Sequence, residues 1–86
     1  MLLIEGWLKL ATGEFDKVRD QAIAMVKATN QEEGCIHYSF AQDIADPDLI
    51  RISERWASQE ALAAHSASAH MADFNKAMGS APINKP

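Results

Sequence analysis

The sequence predicts a single α+β domain, and three observations carry that expectation. Three separate stretches alternate apolar and polar residues with a period of two. Between the first and the second lies a segment whose apolar residues recur at helical spacing, and two shorter helical segments follow the third. The chain has 86 residues, which allows one domain and one core.

The first stretch, Leu2 to Leu10, sets Leu2, Ile4, Gly6, Leu8 and Leu10 against Leu3, Glu5, Trp7 and Lys9. Thr12-Gly13 breaks it, with Thr12 as the expected N-cap and Glu14 and Asp16 in the first helical turn. Phe15, Val18, Ala22, Met25, Val26 and Thr29 form one stripe of a long amphipathic helix, which Gly34 is expected to close. Cys35 to Gln42 alternates again, with Ile36, Tyr38 and Phe40 expected on one face and Cys35, His37, Ser39 and Ala41 on the other. Asp43 to Asp48 is turn chemistry, and Leu49 to Trp56 completes a hairpin with Ile50, Ile52, Glu54 and Trp56 on one face. Ser58 caps a short helix in which Leu62 and His65 share a side. Ser66-Ala67-Ser68 breaks it, and a last helix carries His70, Phe74, Ala77 and Met78 on one stripe until Gly79. A right-handed crossover then places the first and third strands side by side, with the helices on one face of the sheet.

Composition excludes several functional classes. Net charge is −4, with 8 Lys+Arg against 12 Asp+Glu and no basic stripe, so nucleic acid is not an expected partner. The apolar start, Met1 to Leu10, lacks a basic leader region and contains Glu5, so it does not read as a signal peptide, and no run is long enough to span a membrane. The single cysteine, Cys35, offers no disulfide and fits a cytoplasmic location. A chain this short buries only about 60–65% of its unfolded surface, so a homodimer is the expected source of further burial. Trp7 lies on the sheet face that the helices leave bare, which points the same way.

Residues Gln31 to Phe74 resemble the antibiotic biosynthesis monooxygenase (ABM) family, including its quinol-monooxygenase-like members. The matching pieces are Glu33-Gly34-Cys35-Ile36-His37-Tyr38, Glu54-Arg55-Trp56, Ala61-Leu62-Ala63-Ala64-His65, and Ser68-Ala69-His70 with Phe74 four residues on. The resemblance implies one ABM-like domain over residues 1–86, with a ferredoxin-like subunit that pairs into a dimeric α+β barrel. It further implies a pocket between helices and sheet, and oxygenation of an aromatic, phenolic or quinol substrate by O2 without metal or flavin. The family's usual fourth strand is expected to be short or missing, because residues 80–86 hold two prolines and read as irregular. Related folds also suggest two alternatives: isomerisation of a small carbonyl compound, as in autoinducer processing, and a barrel that binds a small ligand without catalysis.

Within that frame the catalytic candidates are His65 and His70, since a histidine titrating near ~6.5 can accept a phenolic proton at neutral pH. Each equally suits a helix end or a backbone carbonyl that needs a partner. Glu54 is the unexpected carboxylate on an otherwise apolar strand face, suited to a substrate hydrogen bond or to a structural ion pair. Trp56 is expected as an aromatic wall or as plain core. Tyr38 is expected at a substrate oxygen or packed with its hydroxyl tied off. Phe40, Leu62, Met71 and Phe74 are expected to line the pocket or form the core. Cys35 reads as a small buried hydrophobe. His65 and His70 are five residues apart, which is not the pairing of a metal site on one helix, and no metal or other cofactor is expected.

Overall fold

The computed structural model describes residues 1–79 together with 83 and 84. The elements run β1 (Leu2–Leu10), α1 (Glu14–Asn30), β2 (Cys35–Gln42), β3 (Leu49–Trp56), α2 (Gln59–Ser66), α3 (Ala69–Met78) and β4 (Ile83–Asn84). The strands form one antiparallel sheet in the order β2-β3-β1-β4, the ferredoxin-like arrangement. A short fourth strand is therefore present. It pairs only with Lys9 and Leu10, so within the described residues the outer edge of β1 from Leu2 to Leu8 has no neighbouring strand.

Period-two alternation places one set of side chains under the helices. Across the sheet this inner face carries the rows Leu2-Trp56-Cys35, Ile4-Glu54-Tyr38, Gly6-Ile52-Phe40 and Leu8-Ile50-Gln42. Leu8, Leu10, Tyr38, Ile50 and Trp56 are buried there, and Phe15, Val18, Ala22 and Met25 of α1 close over them. α1 packs on β2 and on α3, while α2 lies over β3. Thr29, fully buried at the end of the α1 stripe, donates its hydroxyl hydrogen to the Met25 carbonyl at 2.8 Å, the usual way a helical threonine is satisfied without water. The opposite face carries Leu3-Arg55-His37, Glu5-Ser53-Ser39 and Trp7-Arg51-Ala41, and among the described residues no helix lies over it.

Three local expectations are corrected. Ile36 does not share a face with Tyr38 and Phe40: a bulge between Cys35 and His37 inserts it as an extra residue, 54% exposed, and turns Cys35 inward. Thr12 is not the cap of α1. Gly13, at φ +78°, occupies that position, and its amide donates to Oδ1 of Asp48 at 3.1 Å, so the β2–β3 loop supplies the acceptor. The helix ends at Asn30, before Gly34, and Gly34 instead turns the chain into β2 at φ +84°. The caps of the last two helices follow the sequence: the Ala61 amide donates to the Ser58 hydroxyl, and the Met71 amide to that of Ser68.

The two left-handed glycines differ in their surroundings. A Cβ on Gly34 would lie 2.5 Å from Cβ of Ala61, whereas one on Gly13 would meet nothing within 4 Å. Gly13→Ala is expected to carry backbone strain alone, on the order of 1 kcal/mol. Gly34→Ala is expected to cost clearly more, because α2 must also move; urea denaturation of the two variants measures the difference.

Candidate functional site

Two rows of the inner sheet face form the floor of a cavity of about 330 Å³, near the small end of the range for ligand pockets. Ile4, Glu54 and Tyr38 make one row, and Gly6, Ile52 and Phe40 the next. Gly6 adds no side chain, which keeps the floor low in the middle. The roof consists of Leu62, His65 and Ser66 from α2 and of Met71, Phe74, Asn75 and Met78 from α3. The site exists because β1 and β3 are neighbours and because the break between α2 and α3 lets both helices lean over the same stretch of sheet.

Of the residues singled out by sequence, Tyr38, Phe40, Glu54, Leu62, His65, Met71 and Phe74 line this cavity. Trp56 does not. It lies in the row next to the floor, is 0% exposed, and packs its ring 4.8 Å from that of His65. Its indole N–H donates to Oε1 of Glu54 at 2.8 Å. Trp56 is thus the support behind His65 and Glu54, not a wall. Glu54 has this indole as its side-chain partner and no ion pair among the described residues. His70 also stands away from the cavity lining, with its side chain 25% exposed.

The two histidines meet at a residue that sequence reading passed over. Oε2 of Glu32 lies 2.7 Å from Nδ1 of His65 and 2.9 Å from Nε2 of His70. An ionised carboxylate has no hydrogen to give, so both nitrogens donate. The neutral tautomer of His65 that fits this contact carries its hydrogen on Nδ1 and has Nε2 as the acceptor nitrogen. His65 is 4% exposed, wedged between the rings of Trp56 and Tyr38, the latter at 5.1 Å. The hydroxyl of Ser68 donates to the His65 carbonyl at 2.6 Å while it caps α3, which ties the two helix ends together. Glu32 sits in the irregular turn between α1 and β2, outside any periodic pattern. The available signal was a carboxylate two residues before a glycine, ahead of the second strand.

Tyr38 and Cys35 are kept neutral by their surroundings. Burial raises the pKa of the Tyr38 phenol well above its ordinary 10.0, and the carboxylate of Glu54 adds to the shift. Burial, then Glu32 and Glu54, raises the Cys35 thiol above its ordinary 9.0. Tyr38 is thus a hydrogen-bond donor at neutral pH and not a base, and Cys35 is not a thiolate nucleophile. Both shifts have the same sign in linkage: the unfolded chain loses these protons at lower pH than the native one. Their contribution to stability is fully present below pH 9; it starts to fall as pH passes the ordinary values of 9.0 and 10.0 and goes on falling until the raised native values are reached. Urea midpoints taken from neutral to alkaline pH are expected to fall less steeply for Tyr38→Phe and Cys35→Ser than for the parent chain.

The family described as "Antibiotic biosynthesis monooxygenase" matches residues 1–77. The "Putative monooxygenase YcnE" of Bacillus subtilis (strain 168) is 22% identical over 87 residues, covering 98% of this chain and 92% of that protein. PA3566 from Pseudomonas aeruginosa is similar in structure with a TM-score of 0.86 at 22% identity, covering 98% of this chain and 87% of its own. A conserved Bacteroides thetaiotaomicron VPI-5482 protein, described as a possible oxidoreductase, superposes with a TM-score of 0.83 at 25% identity, over 98% and 90% of the two chains. Among the described residues, no helix is long and apolar enough to cross a membrane. A match over nine-tenths of the length, joined to the ferredoxin-like sheet and its helix-roofed cavity, places this chain in the antibiotic biosynthesis monooxygenase family of oxidoreductases.

Proposed function

We propose that this chain is a cofactor-independent monooxygenase that oxidises a small phenolic or quinol substrate with O2, using Nε2 of His65 as the general base. The observation that carries this reading is a buried imidazole on the wall of an apolar cavity, with its other nitrogen tied to a carboxylate. Removal of the phenolic proton makes the ring electron-rich enough to reduce O2 directly. In balanced form, a hydroquinone and O2 give a hydroxyquinone and water, so the substrate supplies all four electrons that O2 takes up and no external reductant is required.

Glu32, Tyr38 and Glu54 each have a part beside His65. Glu32, 2.7 Å from Nδ1, is a positioning residue: it holds the tautomer and stabilises the imidazolium that forms when Nε2 takes the proton. Tyr38, kept protonated, donates to a substrate oxygen. Glu54 offers its free oxygen to a second hydroxyl, since the indole of Trp56 already occupies the first. Phe40, Leu62, Met71 and Phe74 supply apolar surface that accepts an aromatic ring and excludes water. His70 supports the site from the far side of Glu32.

The same reading includes a homodimer in the cytoplasm. The helix-free sheet face presents Leu3 and Trp7 among Glu5, Lys9, Arg51 and Arg55, a mixture suited to a self-complementary interface. Cys35 is a free thiol, in keeping with a reducing compartment.

Oxygen uptake with a panel of hydroquinones and anthrones, corrected for autoxidation, tests the activity. His65→Ala is expected to lower the enzymatic rate by about 10²–10⁴. Glu32→Gln is expected to lower kcat with little change in KM, because it acts through His65. Absence of uptake on every substrate, with turnover of small hydroxy-ketones instead, would replace the oxygenase by an isomerase using the same base.

A further inference from the structure

Glu32, His65 and His70 come from three different elements, the α1–β2 turn, the end of α2 and the start of α3. One ligand atom from each lies within 4.8 Å of the other two. Two imidazoles and one carboxylate form the donor set of many mononuclear zinc sites, with the fourth position left to water. In a tetrahedral centre with bonds of ~2.0–2.1 Å, adjacent donors stand about 3.3 Å apart. The present separations to the Glu32 oxygen, 2.7 and 2.9 Å, require an opening of roughly half an ångström, and the two imidazole nitrogens, within 4.8 Å of each other, must settle to the same spacing, adjustments that side-chain torsions supply. The two sides of the cluster differ in access. His65 is buried at the cavity wall, while the His70 side chain is 25% exposed, so an ion can enter past His70 without passing through the substrate cavity.

We propose that Glu32, His65 and His70 form a site for a divalent transition metal of the zinc class, and that occupation of this site switches off the base. The metal takes the lone pairs of His65 Nδ1 and His70 Nε2. Each ring remains neutral, so its proton moves to the opposite nitrogen and no net proton is released. For His65 this places the hydrogen on Nε2, the atom that must be unprotonated to accept a proton from substrate. The hydrogen-bonded and metal-bound forms are thus alternative tautomers of one cluster. The inhibitory consequence rests on the assignment of His65 as base; the metal site itself does not.

Calorimetric titration of the chelator-treated full chain with zinc chloride reads the site directly. One ion per chain is expected, with affinity weakened about tenfold or more by His70→Ala and by Glu32→Gln, and unchanged by His37→Ala on the opposite sheet face. Cobalt(II) is expected to give the visible bands of a tetrahedral nitrogen–oxygen centre. Nitrogen NMR of the histidines is expected to move the His65 proton from Nδ1 to Nε2 on loading, a readout that serves even where a variant folds poorly. No saturable binding, binding lost in His37→Ala, or a near-ultraviolet sulfur band indicating Cys35 would each overturn the site. Zinc binding with the tautomer change, but with oxygen uptake unaffected, would overturn the role of His65 as base and leave the metal site standing.

Discussion

The closeness of α2 to Gly34 is the constraint on which the site depends. Any side chain at this position would meet Ala61 at 2.5 Å, and its φ of +84° suits only glycine. The same residue gives its carbonyl to the Ala57 amide at 2.8 Å, which joins the start of β2 to the end of β3. With α2 seated this deeply, His65 at its last turn reaches back to Glu32, two residues before Gly34. The turn that makes the close approach possible therefore also delivers the carboxylate that the approach brings into range. Packing and the candidate site share one backbone feature.

The cavity's electrostatics follow from what is already paired. Apolar residues dominate floor and roof, so each polar group carries more weight than it would in water. Glu54 would be costly on that face without a partner; the Trp56 indole satisfies one oxygen and leaves the other directed by a rigid, fully buried ring. Tyr38 lies beside Glu54 in the same row, and burial together with that carboxylate keeps its phenol protonated. The floor thus presents a fixed acceptor next to a fixed donor, beneath the imidazole of His65. Under the proposed function, such a set orients a flat molecule with two oxygens more readily than a purely aliphatic one.

Much of the fold was legible because the chain obeys simple periodicities. Phe15, Val18, Ala22, Met25 and Thr29 are buried as helical spacing requires, and the order of elements fixes which strands can be neighbours. Legibility failed where one residue breaks the period. The bulge that exposes Ile36 has no marker in a stretch as apolar as Cys35 to Phe40, and a two-residue strand such as β4 is below what alternation can reveal. The candidate cavity was legible in part, in His65, Tyr38, Phe40 and Phe74. The site was not legible in Glu32, whose role comes from a tertiary meeting of a turn with two helix ends, nor in the displacement of Trp56 by one row from floor to support.

Spacing rules on a single helix also gave an incomplete view of His65 and His70. Five residues apart on one continuous helix, the two side chains would diverge by more than a quarter turn. The break at Ala67 and Ser68 removes that restriction, because His65 ends one helix and His70 begins the next. Ser68 caps α3 and at the same time donates to the His65 carbonyl, so the break is held in one shape and is not a loose joint. Two histidines that a continuous helix would separate are thereby brought to one carboxylate oxygen. The helix break, which in sequence reads only as an interruption, is the element that turns two isolated imidazoles into a coupled cluster.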